Sequence, residues 1–115
     1  MVILIVEDEL LSAMLLEDML NALGHEVVGP AASVEQAMDL AETPGVRAAL
    51  LDLNLRGERS LSVAQKFIDR KIPFAFVTGY MTDHLDSKWR AFPLLQKPFM
   101  QDTLRATLEQ LGVAA

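Results

Sequence analysis

Between Ala48 and Leu55 the chain reads Ala-Ala-Leu-Leu-Asp-Leu-Asn-Leu, and this stretch constrains the fold more than any other. An apolar run this short, apolar at successive rather than alternate positions, describes a buried strand covered on both faces. The carboxylate near its end narrows the placement further. Removing water from an unpaired carboxylate is costly, so Asp52 belongs where the strand emerges, at the lip of a sheet. It needs partners there.

The rest of the chain repeats the theme. Val2-Ile3-Leu4-Ile5-Val6 is continuously apolar and β-branched, the pattern of a parallel strand between helices, and it stops abruptly at Glu7-Asp8-Glu9. From Leu10 to Leu23 the apolar positions Leu16, Met19, Leu20 and Leu23 recur at helical spacing opposite Glu17, Asp18 and Asn21, with Gly24 as a C-terminal cap. Glu26 to Pro30 reads as a second strand. Ser33-Val34-Glu35-Gln36 reads as a capping box opening a second helix, with Val34, Ala37, Met38 and Ala41 inward. After the strand carrying Asp52 comes a polar loop with Gly57, then a helix striped by Val63, Ala64, Phe67 and Ile68. Ile72 to Val77 is a fourth strand. Tyr80 to Arg90 has a cap candidate in Thr82 and one inward candidate in Leu85, which predicts a short or mobile fourth helix. Leu94-Leu95-Gln96 is a brief fifth strand, and Leu104, Leu108 and Leu111 mark the last helix.

Five strands alternating with five helical segments predict an α/β fold: a doubly wound, five-stranded parallel sheet in the flavodoxin-like order 2-1-3-4-5, helices on both faces. At 115 residues the chain reads as one domain, 1–115. Ligands in this architecture bind beyond the carboxyl ends of the strands. Glu7-Asp8, Asp52, Thr78 and Lys97 all fall there.

Composition removes several classes of function. Cysteine is absent, which excludes disulfides and thiolate metal sites and agrees with a cytoplasmic setting. The longest apolar runs are far short of the roughly 20 residues that span a bilayer, so no membrane insertion is expected. Residues 1 to 46 hold nine acids and no Lys or Arg, within a net charge of −6. Direct nucleic-acid binding needs a basic face and is not expected.

Three acids converging on one lip repel one another unless something positive sits among them. Oxygen donors without His or Cys suit a hard cation, and a shallow site with few carboxylates suits Mg²⁺. Lys97 is a compact charge able to pair with Asp52 in the empty site and with a phosphoryl oxygen in the filled one. Thr78 offers a hydroxyl donor. These parts describe phosphoryl transfer onto a carboxylate, with Asp52 as nucleophile.

At this point the chain resembles the receiver domains of two-component response regulators. Glu7-Asp8 is similar to their acidic pair, Asp52 to the phosphoacceptor, Thr78 to the switch hydroxyl and Lys97-Pro98-Phe99 to the Lys-Pro-Phe signature. The resemblance implies a single-domain response regulator without an output domain. It implies that Glu7, Asp8, Asp52 and the backbone carbonyl of Asn54 hold Mg²⁺, and that the Lys97-Pro98 bond is cis. It also implies a cytoplasmic phosphoprotein, a monomer or weak dimer. Its phosphodonor is a sensor histidine kinase or phosphotransfer protein, its downstream protein partner is unspecified, and it is not a turnover enzyme.

The chain departs from the common pattern in places. Leu94 stands where receivers usually carry an aromatic switch residue. Phe76-Val77-Thr78-Gly79-Tyr80 is similar to the Phe-Ala-Thr-Gly-hydrophobic-Tyr motif of one single-domain subgroup, with Val77 for Ala and the aromatic one place early. With Gly79 beside Thr78, the expected switch is a reordering of residues 79 to 92 rather than an aromatic flip. Asn54 and Tyr80, two residues beyond Asp52 and Thr78, are expected to set the lifetime of the phospho-form.

Plainer readings stand beside these. Alone, Glu7-Asp8 is the acid pair a helix dipole favours, Thr78 a strand-end hydroxyl and Lys97 a solvated charge. His25 and His84 read as surface residues, and Trp89, Phe92 and Tyr80 as packing for the fourth helix. Leu10 and Met14 either cover the sheet edge or meet a partner. The competing function is a receiver-like adaptor that binds its partner without phosphorylation. An aspartyl hydrolase would want a second Asp where Asn54 stands, and a flavin site would be repelled by Glu7-Asp8-Glu9.

Overall fold

Strand β1 (Val2–Val6) sends Ile3 and Ile5 to one face of a sheet and Leu4 and Val6 to the other, and all four are fully buried. The computed structural model describes residues 1–79 and 85–113. After β1 come α1 (Leu10–Ala22), β2 (Glu26–Ala31), α2 (Val34–Leu40) and β3 (Val46–Asp52). They are followed by β4 (Asn54–Leu55), β5 (Glu58–Arg59), α3 (Leu61–Asp69), β6 (Phe74–Thr78), α4 (Ser87–Arg90), β7 (Leu94–Gln96) and α5 (Gln101–Gln110). The main sheet is parallel in the order β2-β1-β3-β6-β7. With the two-residue strands β4 and β5 set aside, this is the flavodoxin-like order the alternation predicts.

Both faces are covered, which is why the strands read as unbroken apolar runs. Ile5, Leu50 and Val77 meet Leu16 and Leu20 of α1 and Leu104 and Leu108 of α5. On the other face Leu51, Phe74 and Phe76 meet Ala37 of α2, Val63 and Phe67 of α3 and Trp89 of α4. Each fully buried Leu, Ile or Phe contributes about 1.5–3 kcal/mol of hydrophobic transfer. Trp89 and Phe92 join Phe74 and Phe76 in an aromatic group with centroid spacings of 4.7–6.5 Å. They are packing residues, as expected.

Several local expectations change. His25 is buried, not a surface residue, with only 6 % of its area exposed. Its N–H donates to Leu20 O and that of Gly24 to Asn21 O, so His25 folds back over the end of α1 in a Schellman closure. Ile72 belongs to the same kind of closure at the end of α3, donating to Phe67 O, so the fourth sheet strand starts at Phe74. The loop after Asp52 contains a short antiparallel hairpin, β4–β5, turned through Arg56 and Gly57, which both have positive φ. Gln36 N–H donates to Ser33 Oγ as a capping box requires, but the Gln36 side chain accepts from Ala32 rather than from Ser33. Helix α4 is a single turn, with Leu85 buried before it. Tyr80, Thr82 and His84 lie outside the described residues.

Candidate functional site

The chain winds from β1 out to β2 and returns to β3, so the carboxyl ends of β1 and β3 lie side by side at the switch point. Glu7 follows β1, Asp52 ends β3, Thr78 ends β6 and Lys97 follows β7. Pairing of β6 with β7 is prolonged by the Lys97 N–H, which donates to Thr78 O at 2.8 Å and sets the lysine backbone at the same edge. The Lys97–Pro98 bond is cis.

Lys97 is the hub. Its Nζ lies 2.8 Å from Glu7 Oε2, 3.0 Å from Asp52 Oδ2 and 3.3 Å from Glu9 Oε1. Glu7 is only 2 % exposed. Its carboxyl is raised to about 7: burial pushes it up most, the hydrogen bond from Lys97 pulls it down, and the charge of Asp52 adds to the rise. Burial alone would lower Lys97, but its bonds to Glu7 and Asp52 outweigh that and raise it above the usual lysine value.

Each carboxylate is also held from the backbone. Asp52 Oδ1 accepts the Asn54 N–H at 3.0 Å, leaving Oδ2 toward the ammonium. Asp8 Oδ2 accepts the Arg56 N–H at 2.9 Å, and Glu7 Oε1 accepts that of Glu9 at 3.1 Å. Beneath them Ser60 Oγ donates to Asp52 O at 2.6 Å and lies 3.1 Å from Leu53 O. Ser60 precedes α3, yet its side chain caps nothing; it ties the loop to the end of β3 instead.

Above these groups opens a cleft of about 750 Å³, lined by Asp8, Glu9, Asp52, Leu53, Asn54, Gly57, Arg59, Gly79 and Lys97. Of the expected site residues, Asp8, Asp52, Asn54, Gly79 and Lys97 line it, while Glu7 lies buried behind Lys97. Thr78 is buried at the end of β6. Leu94 begins β7 with its side chain largely exposed, away from the cleft lining. Pro98 borders a smaller neighbouring hollow with Ser12, Leu15, Lys97 and Phe99. Glu9, Arg59 and Ser60 were not singled out from the sequence. Their only signal there was proximity to Asp8 and Asp52.

One oxygen from each of Glu7, Asp8 and Asp52 can be chosen so that all lie within 4.8 Å of one another. This all-oxygen donor set fits a hard divalent cation.

Known proteins carry the same frame. A family profile described as the response regulator receiver domain matches residues 3–109. The chain is similar to SdrG from Sphingomonas melonis Fr1, with 48 % identity and a TM-score of 0.86, covering 96 % of this chain and 95 % of that one. It is 34 % identical to the phyllosphere-induced regulator PhyR of Methylorubrum extorquens over 94 % of its own length and 42 % of PhyR's. It spans about half the length of the curated relatives it matches. The receiver domain of the sensor histidine kinase PA1611 from Pseudomonas aeruginosa PAO1, solved with a magnesium ion in its active site cleft, is 27 % identical. That match has a TM-score of 0.77 and covers 96 % of this chain and 97 % of that one.

Proposed function

This chain belongs to the response regulator receiver domain family, and from that premise we propose that it accepts a phosphoryl group on Asp52 and thereby changes its binding to a protein partner. The observation that carries the proposal is the Lys97 ammonium shared between Glu7 and Asp52 beside Asp8. A carboxylate held this way, at the mouth of a cleft, is a nucleophile with its charge-neutralising groups already assembled.

An oxygen of Asp52 attacks phosphorus, and the bond from phosphorus to the donor's leaving group breaks. Lys97 then exchanges its contact with Asp52 Oδ2 for one with a phosphoryl oxygen, while its bond to Glu7 keeps the ammonium in place. The Asn54 N–H orients the Asp52 carboxylate, and Thr78 is the candidate hydroxyl donor to the bound phosphoryl group. Glu7, Asp8, Asp52 and the Asn54 carbonyl would hold Mg²⁺, which neutralises charge on the transferring oxygens when bound. At Gly79, among the described residues, a Cβ would meet Lys97 Cβ at an ordinary contact distance of 3.9 Å.

The donor is a kinase or phosphotransfer phosphohistidine in the cytoplasm. An exposed apolar face on α1, formed by Leu10, Leu11, Met14 and Leu15, adjoins the hollow beside Lys97 and supports a macromolecular donor rather than only a small one. The protein is a phospho-accepting switch, not a turnover enzyme.

Intact-mass measurement after incubation with acetyl phosphate, with and without Mg²⁺, tests the reading. The expected result is one Mg²⁺-dependent phosphoryl adduct on the wild type and none on Asp52→Asn. A folded wild type that gains no adduct would instead favour the adaptor reading, in which Asp52→Asn leaves partner affinity unchanged.

A further inference from the structure

We infer that Arg59, which lines the cleft, is a donor-recognition residue: its guanidinium draws in the anionic phosphoryl group of the donor before transfer. The inference rests on the phosphoryl-accepting reading of Asp52 and assigns a role to a residue outside the carboxylate and lysine cluster.

The case begins with charge. Asp8, Glu9 and Asp52 line the cleft and Glu7 lies behind it, four carboxylates against the single charge of Lys97 and the two that a bound divalent cation would bring, so little positive charge is left over for an incoming phosphoryl dianion. Lys97 already contacts three of these carboxylates. Arg59 also lines the cleft, and among the described residues its side chain makes no ion pair or hydrogen bond. It is a cation lining the cleft whose donors are uncommitted among the described residues, and a guanidinium fork matches phosphate oxygens in pairs.

Its position is built, not incidental. In the β4–β5 hairpin Arg59 is directly opposite Asn54, so the two side chains project from the same face of the ribbon, and both line the cleft. The neighbouring position, Leu55, is buried in the core and fixes which face that is. The hairpin is pinned at both ends, by the Arg56 N–H on Asp8 and by Ser60 Oγ on Asp52 O. The backbone carrying Arg59 is therefore tied to the Asp8 carboxylate and to the main chain of Asp52.

The test compares rates of Asp52 phosphorylation, followed by intact mass with Mg²⁺, for wild type, Arg59→Gln and Arg59→Glu. Two donors are used: acetyl phosphate, a dianion that releases acetate, and phosphoramidate, a monoanion that releases ammonia. A screened, exposed charge contact is worth about a threefold to fivefold change in rate. Arg59→Gln should slow the acetyl phosphate reaction by about that factor, Arg59→Glu by more, and phosphoramidate should respond less. Because the Debye length is only about 8 Å at physiological salt, the difference should shrink as ionic strength rises. Equal rates for wild type and both variants overturn the inference, as does a loss that is the same for both donors at every salt concentration, which marks a merely structural effect. A wild type that takes up no phosphoryl group overturns the parent reading and this one with it.

Discussion

Gly29 and Gly79 make opposite demands on the backbone. Gly29 has φ +98°, and a Cβ there would stand 2.6 Å from Ile5 O and 2.9 Å from Ala31 N, both backbone atoms that cannot yield cheaply. It sits where the register between β1 and β2 shifts. Gly79, beside the proposed switch hydroxyl, has no positive φ and, among the described residues, no neighbour that a Cβ would meet closer than 3.9 Å. Gly29→Ala should therefore destabilise the protein by about 2 kcal/mol or more. Gly79→Ala should stabilise it by about 0.5 kcal/mol, through the reduced freedom of the unfolded chain. Urea midpoints read both. The contrast bears on function, since nothing among the described residues requires glycine at 79. Asp52 and Lys97 were legible in the sequence because a charge at the end of an apolar strand has few places to go. Arg59 was not, because a charged residue in a polar loop looks the same whether it faces a cleft or open water.

Helix ends are where elements of this chain are stitched to the sheet. Three helices close by the same Schellman pattern, α1 through Gly24, α3 through Lys71 and α5 through Gly112. Two use the glycine that a left-handed residue favours; α3 uses Lys71, at φ +58°. A side chain in that region costs roughly 1–2 kcal/mol, partly offset by the greater unfolded-state freedom of glycine. Lys71→Gly is thus expected to raise stability by about 0.5 kcal/mol, read as a higher urea midpoint with unchanged slope. The glycine closure at α1 is read from the sequence, whereas the lysine one is hidden, and with it the reason Ile72 leaves the strand. Helix α4 illustrates the other limit. A single turn has no stability of its own, and it is held by Trp89 against Phe76 and Phe92 and by Lys88 Nζ on Gln65 Oε1 of α3. The sequence predicts a short helix here without a convincing stripe, because tertiary packing rather than periodicity sustains it.

The acidic edge makes the stability of the whole molecule depend on pH. Glu7 is raised from 4.5 in the unfolded chain to about 7 in the fold, so between these values the folded state holds a proton that the unfolded state has lost. The stabilisation from this group is complete below about pH 4.5 and disappears as pH rises through about 7. Lys97, raised above its ordinary 10.5, remains charged throughout this window and leaves the sign unchanged. Metal-free protein should accordingly show a urea midpoint that falls between pH 5 and pH 8 from this contribution, and Glu7→Gln should flatten that fall. Because hydrophobic periodicity and strand-end punctuation are local properties, the sequence by itself determined the alternation of elements, the two-sided burial of the sheet and the residues gathered at its carboxyl edge. Distances between those residues are not local. Only the tertiary structure decided that Lys97 bridges Glu7 and Asp52 and that Ser60 and the β4–β5 hairpin fasten the loop beneath them. It alone decided that Arg59 lines the cleft uncommitted among the described residues, because each of these depends on how segments far apart in the chain are brought together.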